Sequence, residues 1–314
     1  MSAAPKVAVI DIGSNSIKVL VARRGTNCGL VKPVFQQTCD ARISTGINQC
    51  EPRLSPDGMA AGLGAIRDLL RAAACYSPAK IQLVATSAVR DALNRDEFLA
   101  LVRQETGHSI RILTGPEEAA YIGRGLLSDP VLHGTDSCYV FDLGGGSLEC
   151  LAMRARQVET AISLPLGCVR LTERFVSAPE LPLDPTTALA VQRHVHAVLR
   201  EAHFDFDLPS AAPVIGTGGS VFTCRAMVAA QTRQTLEESS PVLPVPALQS
   251  LGDQVMAMPL AMRQKLPGLP AARADVFPAA IITLLALMAA SGRTVLHHSV
   301  YNLRYGVADE LLTG

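Results

Sequence analysis

Residues 138–154 read CYVFDLGGGSLECLAMR. An apolar run ends in Asp142, the chain passes Gly144, Gly145, Gly146 and Ser147, and a second acid, Glu149, follows two residues later. A tight turn needs one or two glycines where φ must be positive. Three in succession between carboxylates point to a backbone that comes close to a ligand. Glycines leave backbone N–H groups open to an anion, and the Ser147 hydroxyl adds a donor. Carboxylates repel a bare phosphate, so the acids imply a divalent cation between them. Mg²⁺, or Mn²⁺ in its place, suits carboxylates, waters and phosphate oxygens together.

The same pattern occurs near the start of the chain, as KVAVIDIGSNSIKVLVARR. At an offset of 131 residues Val9 falls on Val140, Asp11 on Asp142, Gly13 on Gly144 and Ser16 on Ser147. Ser14 and Asn15 fill the first turn. An internal echo of this kind predicts two similar halves. A third glycine turn, Gly216-Thr217-Gly218-Gly219-Ser220, follows a short apolar run. Neither hairpin has the G-x-x-x-x-G-K-[ST] of a Walker loop, and strands, not helices, follow the glycines, which argues against a dinucleotide fingerprint.

The elements that must hold these turns alternate between strand and helix. SPDGMAAGLGAIRDLLRAAA predicts a helix capped by Ser55 with Pro56 in first position. KIQLVATSAV reads as a strand leading into Arg90, and Asn94 with Glu97 as a capping box on the next helix. PEEAAYIGRGLL starts a helix at Pro116, with Glu117 and Glu118 in its first turn. Adjacent helical side chains point about 100° apart, so only one of these acids is expected to face a site. Further on, strands are expected at 157–164 and at TVLHHS, and helices at 169–175, 185–203, after the third glycine turn and after Asn302. Residues 238–246, with three prolines, read as a surface loop, and 276–292 as a buried helix. This is an α/β pattern in two halves.

Composition limits the function. Lys and Arg total 28 and so do Asp and Glu, which gives no basic excess for general nucleic-acid binding. The eight cysteines include no C-x-x-C pair, so no zinc or redox motif is written, and Cys138 and Cys150 are expected as reduced core residues. The first residues enter a strand at once without a secretion signal, and no apolar run is long enough to span a bilayer. A cytoplasmic protein without membrane or nucleic-acid partners is the expectation, with a homodimer left open.

Seven stretches occur in order: DIGSNSIKVLVA, VATSAVRDALN, LTGPEEAAYIG, VFDLGGGSLE, LPLGCVRLTERF, VIGTGGSV and NLRYGVADELL. Together they resemble the exopolyphosphatase and guanosine pentaphosphate phosphohydrolase family, in a short form without C-terminal helical domains. The resemblance implies the two-lobed actin-like ATPase fold of actin, the heat-shock chaperone ATPase and the acetate and sugar kinases, with duplicated ribonuclease H-like domains. The expected division is 1–125 plus about 300–314 against 126–299, with the site in the cleft between lobes. It implies Glu118 as the base that activates water. It implies Asp11, Asp142 and Glu149 at metal positions, and phosphate contacts from Arg90, Arg304 and the glycine turns. Two departures stand out: Ala280 where the family usually has glycine, and Leu148 where it often has threonine. The expected substrate is inorganic polyphosphate, with guanosine pentaphosphate as the close rival. A kinase of the same superfamily and a non-catalytic sensor of either ligand are the more distant readings.

Overall fold

The computed structural model describes residues 4–25, 30–45, 47 and 51–313. Two of the cysteines, Cys28 and Cys50, lie outside them. The chain divides into two compact units, Met1–Gly134 with Tyr301–Gly314, and Thr135–Val300. A division after residue 125 would cut a helix that runs to Leu126; the first unit continues to Gly134.

The first unit contains strands β1 (Lys6–Ile12), β2 (Ile17–Arg24) and β3 (Val31–Cys39), helix α1 (Pro56–Ala74) and strand β4 (Lys80–Ala85). Helices α2 (Ser87–Asp91) and α3 (Arg95–Thr106), strand β5 (Ile110–Ile112) and helix α4 (Gly115–Leu126) follow. Its sheet has the order β3-β2-β1-β4-β5, antiparallel through the first three strands and parallel from β1 to β4 and β5. Alternation sets the layers. Ala8, Ile10 and Ile12 join a core with Ile66 and Leu69 of α1 and Phe98 and Val102 of α3. The other face of β1, with Val9 and Asp11, is the odd-numbered one.

The second unit contains β6 (Cys138–Leu143), β7 (Leu148–Arg154), β8 (Gln157–Leu164), α5 (Cys168–Phe175), α6 (Pro185–Glu201), β9 (Val214–Thr217) and α7 (Gly218–Gln231). Then come β10 (Val242–Pro244), α8 (Val245–Met256), α9 (Leu260–Arg263), α10 (Phe277–Ser291) and β11 (Val295–His298). The chain returns to the first unit with α11 (Leu303–Thr313). The sheet order is β10-β11-β9-β6-β7-β8. Read from β8, this is the first unit's order with one edge strand added. The echo at 131 residues is therefore a duplicated topology.

Several local expectations change. The strand ends at Ala85, and Ser87–Asp91 forms α2, so Arg90 sits on a short helix. Asn94 does not cap α3: its amide exchanges hydrogen bonds with the backbone N–H and carbonyl of Leu54, at 2.9 and 3.0 Å. Residues 242–244 are an edge strand in place of a loop, and α8 begins at Val245. Ser55 does cap α1, accepting from the Gly58 N–H at 3.0 Å. Helix α10 is buried nearly throughout, and Ala280 is part of its packed face. Cys138 and Cys150 are free thiols in the core, and burial pushes Cys138 up to about 11. Among the described residues no helix is long and apolar enough to cross a membrane.

Candidate active site

In both halves the turn closes in one way. The Gly13 N–H donates to the Ser16 carbonyl at 3.2 Å, and the Gly144 N–H donates to the Ser147 carbonyl at 3.1 Å. Each aspartate stands one residue before the end of its strand, Asp11 opposite Lys18 on β2 and Asp142 opposite Glu149 on β7. The duplicated hairpins differ in that partner, a cation in one and an acid in the other.

In the first unit the turn is fixed from outside. The N–H groups of Arg42 and Ser44 donate to the carbonyls of Asn15 and Ser14, and the Ser14 and Ser87 hydroxyls lie 3.2 Å apart. Asn15 is buried, yet neither its amide nitrogen nor its oxygen has a partner. Buried polar atoms are nearly always satisfied, so an orphaned amide in a glycine turn is fitted for a ligand. Burial raises the Asp11 carboxyl, and Lys18 and Arg304 oppose that shift. Arg304, buried on α11, donates to the Val19 carbonyl at 3.4 Å. Its charge bears on Asp11, in addition to any phosphate contact.

The two acids of α4 separate cleanly. Glu117 completes a capping box: Thr114 Oγ1 accepts from its N–H, and its carboxylate accepts from the Thr114 N–H at 2.8 Å. Those bonds and Arg111 at 2.9 Å hold it down to about 2. Glu118 points inward, with a side chain 8% exposed, and accepts from Arg90 Nη1 at 3.0 Å. The same Nη1 donates to the Leu113 carbonyl at 2.9 Å.

The depressed Glu117 carboxyl has a consequence for stability. Its folded value lies below its ordinary one, so its contribution is complete above pH ~4.5 and lost as pH falls toward 2. The melting temperature of Glu117→Gln should lie below that of the unsubstituted protein at pH 6, and the gap should close between pH ~4.5 and ~2. A gap independent of pH would assign the effect to the lost side-chain shape alone.

In the second unit one polar row crosses four strands. Register places Thr217 beside Asp142, Asp142 beside Glu149 and Glu149 beside Ser163, so all four share a sheet face. The Ser163 hydroxyl donates to Glu149 at 2.7 Å. Thr217 is fully buried, and its hydroxyl has no partner. Gly218 has φ +87°, and a Cβ there would collide with the Asp142 carboxylate, so this glycine is required twice over. Leu148 belongs to the core, facing away from Glu149.

Sequence reading left out two arginines. The Arg170 Nε donates to the Gly146 carbonyl at 2.9 Å, and its backbone N–H reaches Gly145, which fixes the triple-glycine turn from α5. Arg273 lies against Gly219, where any side chain would strike its guanidinium. Arg170 could have been found in LPLGCVRLTERF; for Arg273 no local pattern exists. His298 is buried, and desolvation, with Arg225 beside it, lowers it to about 4.

Duplicated hairpins, each joined to parallel strands and closed by an acid-glycine turn, define the actin-like α/β class. A solved exopolyphosphatase from Cytophaga hutchinsonii matches with a TM-score of 0.88 at 22% identity over 98% of both chains. The solved Ppx/GppA family member of Aquifex aeolicus matches at 0.79 and 24% identity, covering 99% of this chain and 98% of that one. Exopolyphosphatase 2 of Mycobacterium tuberculosis is 32% identical over 237 residues, 72% of each chain. The model of the Ppx/GppA phosphatase family matches residues 20–313, and the chain belongs to that family. It is a phosphatase of the Ppx/GppA type.

Proposed function

We propose that the protein hydrolyses the terminal phosphoanhydride of inorganic polyphosphate, releasing orthophosphate, with Mg²⁺ as cofactor. The observation that carries this reading is the placement of Glu118. Capping is done by Glu117, so Glu118 is left buried on a guanidinium, suited to draw a proton from water and not to finish a helix. The orphaned Asn15 amide in the first unit and the Thr217 hydroxyl in the second, each beside the N–H groups of its own turn, are donors suited to phosphate oxygens. Donors aimed at the charge of the transferring phosphoryl group are the main source of rate in such reactions.

Among the described residues no three His, Cys, Asp or Glu side chains gather into a metal cage. The adjacent pair Asp142 and Glu149 is nevertheless what Mg²⁺ needs, since it takes one or two carboxylates and fills its shell with waters and phosphate oxygens. Asp142 and Glu149 would hold the ion in the second unit, and Asp11 is the corresponding acid of the first. When bound, the ion neutralises phosphate charge. The relative named exopolyphosphatase supports the choice of substrate.

The test is phosphate release from long-chain polyphosphate and from guanosine pentaphosphate, side by side, with Mg²⁺, with Mn²⁺ and with chelator. Faster release from polyphosphate, lost with chelator and restored by Mg²⁺, is expected. A strong preference for the nucleotide would reverse the substrate assignment. ADP formation from ATP only in the presence of a small acceptor would move the protein to the kinase class. Tight binding of either polyanion with no phosphate released would make it a sensor.

A further inference from the structure

Arg90 sits one residue before the end of the five-residue helix α2, with its side chain 22% exposed. One of its nitrogens, Nη1, does two things at once: it donates to the Leu113 carbonyl at 2.9 Å and to the Glu118 Oε2 at 3.0 Å. Nε faces Asp91 Oδ1 at 3.6 Å. The Leu113 carbonyl belongs to the residue just before the Thr114 cap of α4, so the bond ties Arg90 to the helix that carries Glu118. The guanidinium is planar with five N–H donors in a fixed fork, so engagement through Nη1 leaves Nη2 for a further acceptor in the same plane.

We propose that Arg90 is the positioning residue of the catalytic carboxylate: it holds Glu118 through Nη1 while the same guanidinium takes a phosphate oxygen through Nη2. One rigid group would then fix the distance between the carboxylate and the phosphorus. Glu118 receives a proton from water as the water oxygen bonds to phosphorus. The bond from phosphorus to the bridging oxygen breaks, and the shortened chain leaves with that oxygen. Arg90 touches neither the proton nor the bond that breaks; it sets where both lie. A lysine could attract the same phosphate, but its ammonium is a single point charge and cannot span two oxygens in one plane. This inference rests on the assignment of Glu118 as base.

A double-mutant cycle on polyphosphate hydrolysis tests it, with Arg90→Lys, Glu118→Gln and the pair measured for kcat and KM. Arg90→Lys should lower kcat about 10²-fold or more, near the low end of what a positioned general base contributes, while KM changes less than tenfold. The pair should be slower than Glu118→Gln by far less than the factor lost in Arg90→Lys alone, because a glutamine has no base left to position and only the phosphate contact is then removed. Multiplying losses in the pair would mean that Arg90 acts on phosphate independently and would overturn the proposal. So would an Arg90→Lys enzyme with raised KM and unchanged kcat. Melting temperatures accompany each variant, and Arg90→Gln replaces the lysine variant in the same cycle if that one does not fold. Full turnover in Glu118→Gln alone would instead remove the base assignment beneath the proposal.

Discussion

Glu118→Gln should reduce turnover by about 10²–10⁴-fold while the protein stays folded. The substitution keeps size and shape, and the glutamine oxygen can still accept from Arg90 Nη1. Breaking a fully buried ion pair commonly costs ~3–5 kcal/mol, since the remaining charge has no partner. Here the cost should be smaller, because the Arg90 side chain is partly exposed and its Nε also faces Asp91 at 3.6 Å. The first turn of α4 stays capped by Thr114 and Glu117, and Ala119, Ile122 and Leu126 keep the helix packed. Phosphate release and a thermal melt on the same preparation check the two halves of the claim. Turnover within a few-fold of the unsubstituted enzyme would remove Glu118 from the chemistry. Loss of turnover together with a collapsed melt would show only that the residue is structural.

Much of this site can be read from the chain because its main parts are short-range. The acid, the glycines and the serine of each hairpin lie within a few residues of one another, and the repeat at 131 residues carries the pattern into both units. The structure adds the common closing hydrogen bond and the common strand order. Glu117 and Glu118 were separable too: Thr114-x-x-Glu117 is a capping box, and it assigns the first acid to the helix end. Asn94-x-x-Glu97 looks similar but does not close, because tertiary contact with Leu54 takes the Asn94 side chain.

What stayed hidden depends on contacts distant in sequence. The strand at β3 contains Pro33 and mixed burial, so it has no clean alternation; it is an edge strand, where proline is tolerated. α2 is too short for periodicity, and the apolar residues before it prolong the strand pattern. Arg273 meets Gly219 across more than fifty positions, and the Thr217–Asp142–Glu149–Ser163 row exists only once three strand pairings are set.

A second large effect is expected where α4 meets α11. The helices approach through glycine: a Cβ at Gly306 would be driven into the Tyr121 carbonyl, and one at Gly125 into the Asn302 carbonyl. Around this seam Asp309 accepts from Arg24 and Arg124, each at 2.5 Å, and Glu310 accepts from the Tyr121 hydroxyl at 2.6 Å. Overpacking in a filled core costs about 1–3 kcal/mol when side chains can shift. At Gly306 the obstacle is backbone, which cannot rotate away, so Gly306→Val should reach or exceed that range. At about 2–4 °C per kcal/mol for a domain of this size, the melting temperature should fall by several degrees. Activity should fall as well, because the displaced helix carries Glu118 three residues before Tyr121 and the displaced partner carries Arg304 two residues before Gly306. Gly64→Ala on α1 is the control: its Cβ meets nothing within 4 Å, and the gain in helix propensity of about 0.8–1.0 kcal/mol should raise the melting temperature. If Gly306→Val melts like the unsubstituted protein and turns over at the same rate, close approach of these helices does not set the position of the Glu118 carboxylate.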